Sequence, residues 1–426
     1  MENPLALLPA ADAGAPIVVH SHLRWDFVWQ RPQQVLSRLA RQHRVLFVEE
    51  PLYLDDASSP RLDLSQPMPG VYRAVPLMPS GLRGSYDVSI AVVRDLLRAQ
   101  MVPGGRLSRL FERPIQWFYT PMPAPAMIGA FNERAVLYDC MDELSKFRFA
   151  PAALVDRERL LLSNADVVFT GGHRLFLSKS EHHDNVHFFG CGVDVAHFGR
   201  ARSAALEVPP DIASLGNRVI GYYGVIDERI DYALLARLAV AYPEDSLVML
   251  GPVVKVDQRE LPQAPNIHWL GQRTYDELPA YVRSFDVCLM PFALNEATEY
   301  INPTKTLEYM AAAKPIVSTA LSDVKHHFSP IVAVAESHDQ FIALVRAALS
   351  APDAPLIARG VREAQDNTWD SVVTRMEQVM LDGVRIRALR GTRSTRSFRD
   401  RAGVRASWDG QPVRSQLIAA DDRSGD

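Results

Sequence analysis

Three cysteines in 426 residues, Cys140, Cys191 and Cys288, form no Cys-x-x-Cys pair and no disulfide framework. Isolated in this way, they read as small core residues in a reducing compartment. No apolar run reaches the ~18 residues that a membrane-spanning helix requires. Residues 1–16 lack the cationic start and apolar stretch of a secretion signal, so the expected location is cytoplasmic. Positive charge is not in excess either. A formal net charge of −4 argues against a dedicated nucleic-acid binder. The acids and histidines show no metal-ligand spacing and no Asp-x-Asp, so neither a metal nor another cofactor is expected.

Against these absences stand an ordinary core-forming composition and a long chain. Apolar residues make up 47% and charged ones 23%. At about 150 residues per domain, the length implies two or three domains. Strand-like runs at 17–20, 44–49, 115–119, 135–138, 167–170 and 186–189 alternate with helical spacing at 31–42, 88–100, 106–113 and 151–164. Residues 52–84, rich in Pro, Ser and Asp, read as loop or short strand, and 196–216 as a connection. A second alternation begins at Arg218-Val219-Ile220-Gly221-Tyr222-Tyr223-Gly224, followed by a helix through Tyr232–Ala241. It continues through strands at 247–251, 267–270, 287–290, 316–319 and 331–334, and closes in helices at 338–350 and 357–382. Strands alternating with helices imply parallel sheets covered on both faces. The expected fold class is α/β, with domains at 1–200 and 217–384. From Arg385 onward arginines recur among Ser, Thr and Gly, a composition that builds no core. Residues 385–426 are therefore expected to be a disordered basic tail, either a solvated end or a contact to anionic lipid.

The densest chemistry lies in Asn302-Pro303-Thr304-Lys305-Thr306-Leu307-Glu308-Tyr309 and the following Ala311-Ala312-Ala313-Lys314-Pro315-Ile316-Val317-Ser318-Thr319. Proline cannot continue a helix, so Lys314-Pro315 marks a switch from helix to strand. Asn302, Thr304 and Lys305 then stand at a helix N-terminus just past a strand's carboxyl end. In an open parallel sheet this is a ligand position, and one that favours anions. Glu308 lies one turn on, along the same helix face.

This segment resembles the donor-binding signature of GT-B glycosyltransferases that use nucleotide sugars. In the large retaining family, Glu-x7-Glu precedes a small-residue run and Pro-[IV]-[IV]-[AS]-[ST]. Glu308 matches the second glutamate, whereas Tyr300 stands where the first would be. The chain looks more like a divergent branch reading Asn-Pro-x-Lys-x-x-Glu-Tyr, found in bacterial polysaccharide and teichuronic-acid type transferases. The resemblance implies the GT-B architecture, two Rossmann-like domains facing across a cleft. It also implies transfer of a sugar from a nucleoside diphosphate sugar to a glycan or lipid-linked acceptor, without a metal. Two other functions stay open: a nucleotide-sugar epimerase of the same fold, and a non-catalytic partner in a polysaccharide assembly complex.

On the donor side the resemblance implies roles for Gly224, Arg229, Gln272, Arg273, Asn302, Thr304, Lys305 and Glu308. Val225 replaces an arginine common in the family, which leaves Arg229 as the nearest downstream cation, either on the pyrophosphate or paired with Asp227 or Asp231. On the acceptor side the polar-aromatic stretch His22-Leu23-Arg24-Trp25-Asp26-Phe27-Val28-Trp29 follows the first strand, where the family has a glycine-rich turn. His22, Arg24 and Trp25 are candidate acceptor contacts, and Asp26 a candidate general base. The alternative is that Asp26 caps the next helix and the tryptophans are core. Asp142, beside Glu143, is the rival base. Residues 82–113 carry arginines among aliphatic residues and read either as surface helices or as a face towards an anionic membrane.

Overall fold

The computed structural model describes residues 14–296 and 298–396. Short runs of β-branched and aromatic residues make the centre of each sheet. Ile17–His20 is buried on both faces and pairs in parallel with Val45–Val48 and Ile115–Phe118. The first sheet has nine strands. Its order is Leu52–Leu54, Val71–Pro79, Val45–Val48, Ile17–His20, Ile115–Phe118, Ala135–Cys140, Val167–Thr170 and Val186–Phe188, with Arg61–Met68 antiparallel to Val71–Pro79. The second sheet has six parallel strands, ordered Ile267–Gly271, Ser246–Leu250, Val219–Tyr223, Val287–Met290, Ile316–Thr319 and Ala333–Ala335. The chain is thus α/β with two largely parallel sheets. In the second sheet the strand order reverses between Val219–Tyr223 and Val287–Met290. A crevice opens at such a reversal, beyond the carboxyl ends of the strands.

Several expectations need correction. Residues 61–79 form an antiparallel hairpin, turning at Gly70. Pro67, Pro69 and Pro76 mask its alternation, because prolines within a run argue against a strand. Residues 106–113 are turns rather than helix: Gly104-Gly105 breaks the preceding helix Tyr86–Met101, and Arg109 and Arg113 take positive φ. The helix Trp369–Arg396 continues through the arginines expected to be disordered, while residues 397–426 of that tail lie outside the described residues.

The expected second domain, 217–384, also ends too late. Trp369, Val372, Val373, Met376 and Met380 are buried with Ile17, Val45, Trp117 and Phe169, in the core of the first sheet. The chain therefore returns to the first domain at its end. It crosses where Val193 and Thr368 form a parallel bridge and Trp369 donates its N–H to the Val193 carbonyl at 3.2 Å. Gly192 permits this contact, since a Cβ there would lie 2.7 Å from the Trp369 nitrogen. Among the described residues no single helix is long and apolar enough to cross a membrane. The bent pair His338–Ser350 and Ala354–Asp366 passes only on combined length and composition.

Candidate active site

A cleft of about 1110 Å³ lies between the two sheets. Its floor is the reversal in the second sheet, where Val219–Tyr223 ends at Gly224 and the helix Lys305–Ala311 begins. Gly224 has φ +141°, a conformation closed to L side chains, and a Cβ there would meet the Lys305 side chain, 2.6 Å from Nζ. The lysine thus lies across bare backbone at the strand end. Its ammonium has no carboxylate within ion-pairing distance among the described residues, and rests 5.6 and 5.9 Å from the ring centres of Tyr222 and Tyr223. Burial pulls the Lys305 pKa below its ordinary value, against the pull of Glu308.

Glu308 is 7% exposed and accepts the hydroxyl proton of Tyr223. Burial raises its pKa, opposed by that bond and by Lys305. A cation and a carboxylate, not paired with each other, are thus held in the same cleft wall. Thr304 lines the cleft at the N-cap of the same helix. Asn302 instead spans to the first domain, donating from Nδ2 to the Gly171 carbonyl at 3.2 Å.

Arg229 is bidentate with Asp227, its Nη2 2.7 Å from Oδ2. The guanidinium is thus paired with Asp227, one of its two expected roles, and lies near Phe147 and Asp142 of the first domain. Asp142, in the loop after Ala135–Cys140, interacts electrostatically with Arg229 and Asp227 of the loop after Val219–Tyr223. Burial raises the Asp142 pKa to about 6, with Arg229 pulling it back. The Phe147 ring, farther along this loop, sits 5.6 Å from the Arg229 guanidinium and 5.7 Å from the Lys255 ammonium. Glu143 is not free: it pairs with buried Lys179 at 2.7 Å, which also holds Glu158 at 2.9 Å.

The candidates in the first loop separate. Asp26 lines the cleft, is 66% exposed at its side chain and pairs with Arg73. It does not cap the next helix, since Gln30 and Gln33 form that capping box. Arg24 binds Glu49 at 3.0 Å and the Glu50 carbonyl at 2.6 Å, which turns it into a strut of the loop. Trp25 is 5% exposed and packs on Phe47 in the first core, so little of its ring remains for an acceptor. His22 is held at about 4 by burial and then by Lys255, and its buried Nδ1 has no partner among the described residues. Gln272 donates to the Phe27 carbonyl at 2.7 Å, joining the two walls. Arg273 is clamped by Asp211 and the Tyr281 hydroxyl at 2.7 and 2.6 Å.

Sequence reasoning missed Tyr223 and Tyr275 as cleft groups and Lys255 as the cation beside Phe147 and His22. Tyr223 was legible only as part of the Gly-Tyr-Tyr-Gly turn, and no local pattern marks the other two. Among the described residues no group of three or more His, Cys, Asp or Glu side chains is placed to hold a metal ion.

Comparison with known proteins agrees with this architecture. Residues 217–351 match the family model described as glycosyl transferases group 1. The chain is 25% identical over 279 residues to the putative teichuronic acid biosynthesis glycosyltransferase TuaH of Bacillus subtilis (strain 168), covering 56% of this chain and 68% of that protein. Among solved structures, sucrose-phosphate synthase from Thermosynechococcus elongatus superimposes with TM-score 0.66 at 14% identity, over 87% of this chain and 99% of that one. Anabaena HepE in complex with UDP and glucose does so with TM-score 0.62 at 11% identity, over 87% and 100%. With its second half matching glycosyl transferases group 1 and its architecture that of these structures, the chain is a glycosyltransferase of the GT-B fold.

Proposed function

We propose that the enzyme transfers a sugar from a nucleoside diphosphate sugar to a glycan or lipid-linked acceptor in the assembly of a bacterial polysaccharide. The observation that carries this reading is the Lys305 ammonium, unpaired in the cleft, lying over the bare backbone of Gly224 and one turn from Glu308. A diphosphate set there meets a cation and a helix N-terminus, which together stabilise the charge that develops as it leaves. Glu308 accepts hydrogen bonds from the donor's hydroxyls.

Asp142 is the base that removes the acceptor proton, in preference to Asp26. Its pKa of about 6 suits a base near neutral pH, whereas Asp26 is an exposed carboxylate already paired with Arg73. This role implies inversion at the transferred carbon, in keeping with Tyr300 in place of the retaining family's first glutamate. A lipid-linked acceptor would bring the arginine-bearing 82–113 region near an anionic membrane, since Arg83, Arg98, Arg106, Arg109 and Arg113 are exposed there. The likeness to TuaH supports a cell-envelope polysaccharide as product.

Calorimetric titration of UDP, GDP, ADP and TDP into wild type and Lys305→Ala tests the donor site. One nucleotide is expected to bind at micromolar Kd, and the variant to lose about 10-fold or more, ~1.4 kcal/mol. Absence of binding by all four would refute it.

A further inference from the structure

The ends of the cleft differ in chemistry. At Gly224 and Lys305 the wall is bare backbone and a cation. Towards the edge strand Ile267–Gly271, Leu278 and Pro209 line the cleft beside the clamped Arg273. From the first domain Trp29, 37% exposed, lines the same cleft beside Tyr275. Its exposure is not that of a loose surface residue, because the loop carrying it is pinned on every side. The Trp25 N–H donates to Glu49 Oε1 at 3.0 Å, and Gln33 Nε2 to the Trp25 carbonyl at 3.0 Å. The Gln30 N–H donates to Gln33 Oε1 at 3.1 Å, while Gln272 of the second domain holds the Phe27 carbonyl at 2.7 Å. The Trp29 ring meets Trp25 edge-on, with centroids 6.0 Å apart at 77°, and lies 6.0 Å from the tilted Tyr275 ring. An indole fixed in this way offers a preformed aromatic surface, and the cleft leads from it to the Lys305 cation.

We propose that Trp29 is the stacking platform for the donor's nucleobase, so that the first domain grips the nucleotide through an aromatic contact. This rests on the nucleotide-sugar reading above. A ligand with an anionic group at one end and a flat aromatic heterocycle at the other fits the order of these walls. Base–aromatic stacking tolerates any base, so the contact supplies affinity, and the choice of base falls to the polar groups around Arg273. The loop that stands where GT-B relatives have a glycine-rich turn is thereby assigned to the donor side of the cleft.

The test uses the full chain as wild type, Trp29→Ala and Trp29→Phe, titrated with whichever of UDP, GDP, ADP and TDP the wild type binds. Inorganic pyrophosphate, which probes the Lys305 end alone, is titrated in parallel. Trp29→Ala is expected to weaken the nucleotide about 10-fold or more, and Trp29→Phe to recover most of that. Pyrophosphate affinity is expected to stay within about 2-fold. Equal nucleotide affinity in wild type and Trp29→Ala would overturn the proposal and leave the donor site standing. So would a parallel fall for pyrophosphate, or a loss confined to the acceptor's KM. A wild type that binds none of the four nucleotides would overturn both readings.

Discussion

Asp323 Oδ2 accepts the backbone N–H of His173 at 2.8 Å, so a carboxylate from the second domain caps the first turn of the first-domain helix His173–Ser180. Gly172, at that helix's N-cap, has no side chain to do so. The cap is supplied across the interdomain boundary, and it sits on the side of the molecule where Asn302 also reaches Gly171. Asp323→Ala is expected to cost about 1 kcal/mol in chemical denaturation, the usual loss for removing a capping acceptor. Asp323→Asn keeps an oxygen for the same N–H and is expected to cost less. Equal losses in the two variants would show that charge, not the accepted bond, is what counts.

The same boundary is expected to weaken in acid. His327 stacks on Phe188 with centroids 5.6 Å apart, and lies 4.7 and 5.8 Å from the rings of His326 and His173. Burial, then these two imidazoles, lower its pKa from 6.5 to about 4; burial holds His20 and His22 at about 4 as well. In the unfolded chain all three protonate near 6.5, so between pH 6.5 and 4 the unfolded state binds protons that the folded state refuses. Their contribution is complete above pH 6.5 and is lost as pH falls towards 4. Melting midpoints measured across that range are expected to decline. His327→Phe keeps the ring contact and removes the titration, so its decline should be shallower than that of wild type.

How far the sequence reached depends on how local each signal is. The segment 302–319 was legible because Lys314-Pro315 fixes the helix end by steric necessity, and the observed helix Lys305–Ala311 and strand Ile316–Thr319 fall within it. The alternation of strands likewise gave two parallel sheets. The return of Trp369 to the first core was not legible, because a helix with an apolar stripe does not say which sheet it covers. Nor could composition separate Arg24 and Trp25, bound into the loop by Glu49, from Trp29, four residues beyond Trp25 and open to the cleft. Those distinctions depend on partners 24 residues off in sequence and, for Tyr275, on a residue of the other domain. The facing of Asp142 and Arg229 is of the same kind.

That facing makes the pH dependence of turnover a direct test of the base. With its pKa raised to about 6 by burial, Asp142 is ionised above that value and protonated below it. The rate is expected to fall on the acid side of pH 6. Asp142→Asn is expected to lower kcat by about 100-fold or more while leaving donor KM nearly unchanged, the pattern of a group that acts in the transition state. It should also abolish the acid limb. Asp26→Asn is expected to leave both kcat and that limb intact, and a large loss there instead would move the base to the first loop.

Gly224 offers the sharpest structural prediction, because its effect must pass through Lys305. At φ +141° an L side chain is strained whatever the space around it, and the added methyl would occupy the volume of the Lys305 side chain. The lysine therefore has to leave its place over the strand end. Gly224→Ala is expected to lower the melting midpoint and to weaken nucleoside diphosphate binding to the level of Lys305→Ala. The double variant should bind no worse than either single one, since the second change removes a contact already lost. Additive losses would show that Gly224 serves the ligand through its own backbone, and the diphosphate would then lie against the turn itself.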